Sequence, residues 1–293
     1  MTLIQVPPSI RQRLTEGLGQ PLDAVVPTPC GDTCHGARVA VGHDLYFLKW
    51  RDDAPDGLFA TEAASLNRLA AANLRVPAPL AWEDHADGSF LLMEYITPRE
   101  REFDLNTFGR LMGERIAALH SCTWTHFGAD SPAFLGLLPL DNTPTERWAT
   151  FFVERRLRPL LTMATQAGTF DRRDLDKIAR FVENVGKWLP DDLKPSLLHG
   201  NLMSTHYLID STASPVFIDP AAFWGDPEFD VACASFMGGF PATFFETWQE
   251  LRPATTPNPM GHAPYHAWLL LWLTIEFGGR YRKDLMRMVN PFL

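Results

Sequence analysis

Two apolar runs, Ala37 to Val41 and Leu45 to Trp50, flank a Gly42-His43-Asp44 turn and predict a hairpin. Thr61 to Ala72 then spaces Ala64, Leu66, Leu69 and Ala70 as a helix does, with no Gly or Pro inside, and Asn73 closes it. Leu80 to Glu83 and Ser89 to Tyr95 predict a second hairpin around Asp87-Gly88. From Thr107 the period changes. Helices are expected over Phe108 to His120, Thr145 to Ala167, Asp171 to Trp188, Phe229 to Phe236 and Tyr265 to Phe277. One interruption, Leu197 to Asp219, holds two short apolar pieces, Tyr207 to Ile209 and Val216 to Ile218, around a Ser211 to Ser214 turn. It predicts a small hairpin inside the helical part. A strand-rich amino half joined near Glu94 to Thr97 to a helical carboxy half predicts two lobes, residues 1–96 and 97–293, with a ligand cleft between them.

Composition sharpens this reading by exclusion. With 46% hydrophobic and 21% charged residues over 293 positions, the chain has enough apolar surface to fold without disulfide or metal help. A net charge of −9 with no long basic run leaves no footprint for nucleic acid. Met1 to Gln20 lacks the apolar core of a signal peptide, and Ala267 to Leu273 is far too short to cross a membrane, so a cytoplasmic protein with no membrane partner is expected. The four Cys make no disulfide framework, and Cys30 with Cys34 has no second pair to complete a zinc site. His120, His126, His262 and His266 show no metal-ligand spacing and are expected to cap or pack, as are Trp248, Trp268 and Trp272.

Candidate chemistry lies in four places. Phosphoryl transfer from a nucleotide needs a cation on the phosphates, a carboxylate to hold that cation, a base on the acceptor side and metal ligands beyond the triphosphate. Lys49 on the second strand and Glu62, thirteen residues on in the following helix, have the order of a kinase strand lysine and helix glutamate. His199-Gly200-Asn201-Leu202-Met203-Ser204-Thr205-His206 has the length of a kinase catalytic loop, in which an acidic base precedes a metal-binding Asn by five residues. Asp219 follows at the end of a short apolar strand, eighteen residues past Asn201, where a metal-binding carboxylate would sit.

Taken together these strings resemble the ketosamine (fructosamine) kinase family, relatives of the aminoglycoside phosphotransferases. The similarity runs through Pro29-Cys30-Gly31-Asp32, Phe47-Leu48-Lys49, Phe59 to Ala63, Arg75 to Pro79, Leu92 to Tyr95, Trp148 to Arg156, Leu197 to Gly200 and, most specifically, Phe217 to Asp230. It implies an α+β, two-lobed protein-kinase-like fold: a small antiparallel-sheet lobe with a helix, and a larger, mostly helical lobe. It also implies ATP-dependent phosphorylation of a sugar hydroxyl on a glycated amine or related small molecule. Under it Lys49 and Glu62 form the ion pair on the phosphates, with Gly31 and Asp32 in the covering loop. Met93, Glu94 and Tyr95 form the hinge beside the base, Asp219 and His206 hold the metal, Asn201 takes the catalytic position, and Met203 and Trp224 face the substrate.

The departures matter as much. The family loop reads His-Gly-Asp-Leu-Trp-Ser-Gly-Asn, so Asn201 replaces the base, Met203 the Trp, Thr205 the Gly and His206 the Asn. An amide oxygen is too weak a base to take the hydroxyl proton. Magnesium prefers oxygen ligands, and an imidazole at His206 suits manganese better. The reading that follows is a kinase with a degenerate loop using ATP with Mg2+ or Mn2+. The alternative is a catalytically silent nucleotide-binding pseudokinase with a regulatory or binding role. A true aminoglycoside-type activity is disfavoured by low net acidity and by the Phe217 to Asp230 string.

Overall fold

The computed structural model describes residues 5–31, 33–190, 192–252 and 260–293. It divides into two compact units, one of Met1–Phe103, Ala133–Pro139 and His206–Ala221, the other of Asp104–Pro132, Leu140–Thr205 and Ala222–Leu293. The small hairpin near position 210, which the sequence reading leaves in the carboxy-terminal part, thus belongs by its contacts to the strand-rich unit. No described helix is long and apolar enough to cross a membrane.

The first unit is built on a five-stranded antiparallel sheet in the order β1-β2-β3-β5-β4. Its strands are β1 (Ala24–Pro27), β2 (His35–Val41), β3 (Asp44–Arg51), β4 (Pro79–Glu83) and β5 (Ser89–Glu94). Both hairpins expected from the apolar runs are present. Strand alternation sends Ala37, Val39, Val41, Leu48, Trp50, Phe90 and Leu92 to one face, where Val6, Ile10 and Leu14 close a core over them. The last two lie on α1 (Pro8–Leu18), a helix the charged, proline-bearing amino terminus does not advertise. Helix α2 (Leu58–Ala71) ends where expected, because Asn73 takes the left-handed conformation at φ 60°. Its N–H reaches the Ala70 carbonyl at 2.9 Å and the Leu74 N–H reaches Leu69 at 3.0 Å, the paired bonds of a Schellman cap. The expected short hairpin is β9 (Tyr207–Ile209) with β10 (Pro215–Phe217), and Phe217 donates its N–H to the Arg75 carbonyl at 2.9 Å.

The second unit is mainly helical. Its leading helices are α3 (Leu105–Leu119), α4 (Trp148–Phe151), α5 (Arg158–Ala167), α6 (Arg172–Asn184), α7 (Pro227–Phe236), α8 (Ala242–Leu251) and α9 (Ala263–Phe277). A two-stranded ribbon pairs β8 (Ser196–Leu198) with β11 (Phe223–Gly225). The single helix expected over Thr145 to Ala167 is three segments, because Phe152–Leu157 is wound as a π-helix between α4 and α5. That wider turn carries the buried Arg156, whose guanidinium lies 4.6 Å from the Phe151 ring and 4.5 Å from the Phe223 ring, with burial pulling its pKa down to about 9. Helix α8 approaches α3 closely because Gly113 has no side chain: a Cβ there would meet the Phe244 carbonyl at 2.7 Å.

Candidate active site

Lys49 is buried on β3, and its ammonium bonds to both Glu62 carboxylate oxygens at 2.8 and 2.9 Å and to Asp219 Oδ1 at 2.8 Å. Local structure explains the convergence. Glu62 lies on the first turn and a half of α2, and Asp219 is the second residue beyond β10. Burial alone would lower the Lys49 pKa, but two carboxylates more than offset it and hold the ammonium well above its usual range. Burial, with Asp219 adding to it, pushes the Glu62 carboxyl up against the pull of Lys49. Asp219 keeps the left-handed φ of 54°, an unfavourable backbone for a residue with a Cβ. One third of its side chain remains exposed, against about a tenth for the others.

His206 immediately precedes β9. Its carbonyl accepts the Ile218 N–H at 3.0 Å, extending the β9 and β10 pairing by one residue, so His206 lies across from the neighbour of Asp219. Glu94 ends β5 and is fixed by the Arg75 guanidinium at 2.7 Å, a bond that lowers its pKa. Met93 is buried and Tyr95 follows the strand. Gly31 adopts φ 69° in the connection between β1 and β2; Asp32 lies outside the described residues. Burial drives the Cys30 thiol up to about 12 and raises Cys34 as well, which disfavours a reactive thiolate at either.

In the second unit the loop that carries Asn201 hangs from one carboxylate. Asp230 on α7 is fully buried and accepts the His199 N–H at 2.7 Å and the Gly200 N–H at 2.9 Å. His199 Nδ1 accepts the Asn201 N–H at 3.3 Å, and the Asn201 carbonyl accepts Met203 N–H at 2.9 Å. Asp230 also meets His120 Nε2 at 3.2 Å, and Trp248 donates its indole N–H to His120 Nδ1 at 2.9 Å. Since Nδ1 accepts, the proton of the neutral ring sits on Nε2 and is donated to Asp230. Of the histidines expected to pack, His120 thus supports the loop. Asp230 was legible only as the last letter of the Phe217 to Asp230 string, and Trp248 only as a packing residue. Trp224 on β11 lies 4.9 Å, ring to ring, from Trp124.

Asp226 caps α7 through the Glu228 N–H at 3.0 Å and accepts the Tyr265 hydroxyl, which takes the Trp148 indole N–H at 2.9 Å. Burial raises the Asp226 pKa from 3.8 to about 6, with the Tyr265 bond opposing the rise. Between those values the folded chain keeps a proton that the unfolded chain has released, so this group weakens folding as pH climbs from about 4 to 6. Asp226→Asn should therefore gain about 3 kcal/mol relative to the parent between pH 4 and pH 7, from two pK units at 1.36 kcal/mol each. Urea unfolding across that range measures it; parallel curves for the two proteins would remove Asp226 as the source.

Nucleotide and metal can be tested against these donors. A buried cation with two carboxylates fits a phosphate clamp that loosens toward an anionic ligand. Among the described residues no group of three or more His, Cys, Asp or Glu could hold a metal alone.

Comparison with known proteins agrees with this geometry. Residues 8–293 match the model of the fructosamine kinase family. A probable ketoamine kinase of Enterococcus faecium is 31% identical over 269 residues, covering 92% of this chain and 95% of that one. Another from Synechocystis is 31% identical over 97% of this chain and 96% of its own. A crystal structure from Thermobifida fusca that carries the name fructosamine-3-kinase superposes with a TM-score of 0.84 at 28% identity, over 96% of this chain and 97% of that one. An aminoglycoside phosphotransferase, at a TM-score of 0.68 and 16% identity over 97% of each chain, shares the fold alone. With its kinase-like α+β fold and a family match over nearly its full length, the chain belongs to the fructosamine kinase family of phosphotransferases.

Proposed function

We propose that this chain binds a nucleoside triphosphate with a divalent cation and transfers phosphate slowly to a sugar hydroxyl of a ketosamine or related small molecule. The observation that carries the reading is Lys49, held 2.8 Å from both Glu62 and Asp219. Lys49 would orient the phosphates, Glu62 would keep the ammonium in place, and Asp219 would supply the oxygen ligand to the cation. His206 adds imidazole nitrogen where the family pattern has an amide, which shifts the metal preference from magnesium toward manganese. The cation, when bound, neutralises charge on the phosphates. Asn201 holds the position of the missing base, and general-base loss costs about 10² to 10⁴ in rate. That one substitution favours the second reading, a silent nucleotide-binding protein. Met203 leaves the acceptor without the aromatic face against which a sugar ring packs.

The reading is tested first by binding. ATP with magnesium at roughly a hundred times its Kd should add about 2.7 kcal/mol to stability, a rise of several degrees in Tm. Asp219→Ala should abolish most of that rise, and an unchanged shift would remove Asp219 as a metal ligand. ADP release with and without fructosyl-lysine then separates a slow kinase from a silent one.

A further inference from the structure

The nucleotide-facing side of the sheet is fixed by register. Gly36 pairs with Lys49 and Arg38 with Phe47, while Lys49 pairs with Leu91 and Phe47 with Met93. Directly paired residues share a face, so Arg38, Phe47 and Met93 lie on the Lys49 side, opposite the core closed by α1. Arg38 is two residues along β2 from the partner of Lys49, about 7 Å at strand spacing. Its guanidinium carbon sits 5.9 Å from the ring centre of Tyr95, just past the end of β5 and away from Lys49. Arg38 is half-buried, and among the described residues no carboxylate forms an ion pair with it.

With phosphates at Lys49, a base reaching along this face toward Tyr95 meets a planar cation with several N–H donors. Guanine offers two adjacent acceptors, O6 and N7, that match an arginine fork; adenine offers N7 beside an N6 donor, which does not. We propose that Arg38 reads the base, so that this chain binds GTP as well as ATP. This rests on the nucleotide-binding reading above. Phe47, half-buried on this face, provides the apolar surface on which either purine packs, and Arg38 supplies the contact that only guanine completes.

The test is titration of GTP and ATP, each with magnesium, against the full chain and against Arg38→Met and Arg38→Lys. The parent should bind GTP within about tenfold of ATP, and both variants should weaken GTP at least about fivefold more than ATP, since lysine keeps the charge but loses the fork. A smaller differential in either variant, or a parent that binds GTP more than about tenfold more weakly than ATP, overturns the role of Arg38 while leaving ATP binding intact. If the parent binds neither nucleotide, the nucleotide reading itself falls and this inference with it. Circular dichroism and the unliganded Tm of both variants confirm that a lost signal comes from the site.

Discussion

Replacing Asp230 by Ala should cost about 3 to 5 kcal/mol of folding stability, a large part of the roughly 5 to 15 kcal/mol that a domain has in total. The size follows from what remains behind. Two buried N–H groups, those of His199 and Gly200, lose their acceptor, and each unmet donor costs about 1 to 3 kcal/mol. The His120 Nε2 proton loses its acceptor too, while Trp248 still ties down the other ring nitrogen. Asp230→Asn should cost less than Asp230→Ala. Its amide oxygen can replace Oδ2, which serves both His199 and His120, leaving its nitrogen facing only the Gly200 N–H. Urea unfolding of the two variants measures the order. A loss below about 1 kcal/mol for Asp230→Ala would show that the loop is held by other contacts.

Lys49, Glu62 and Asp219 each stand in a short string of residue types that can be read from the sequence, and the structure brings Glu62 and Asp219 within hydrogen-bond distance of Lys49. The main helices and hairpins were legible because burial of one face imposes a period. Helix α8 and the amino-terminal α1 were not, since the first reads as scattered aromatics and the second has charges between its two buried residues. The π-turn at Phe152–Leu157 leaves no mark on a pattern that is apolar on either side of it. Arg38 was invisible for another reason. An arginine on a strand reads as surface, and only the register that pairs it with Phe47 places it on the Lys49 face.

The double change Asn201→Asp with His206→Asn should raise phosphoryl transfer on the order of 10² or more, because it restores a base for the hydroxyl proton together with an oxygen ligand for magnesium. Either change alone should do less. A base without the second ligand faces a poorly held triphosphate, and a repaired metal site still lacks the base, so the two effects should be non-additive. The new carboxylate would enter a backbone already fixed, since Asp230 holds His199 and Gly200 and the His199 ring holds the Asn201 N–H. Position 201 is buried, so the carboxylate pays desolvation, and a raised pKa there would serve a base that works near neutral pH. The family pattern has Trp where this chain has Met203, so the assay runs at saturating fructosyl-lysine and again with Met203→Trp added. The measured quantity is ADP release with magnesium, compared with the parent and with each single variant. If the double and triple variants bind ATP yet release no more ADP than the parent, the loop is not what limits transfer, and a binding protein on a kinase scaffold becomes the better account of this chain.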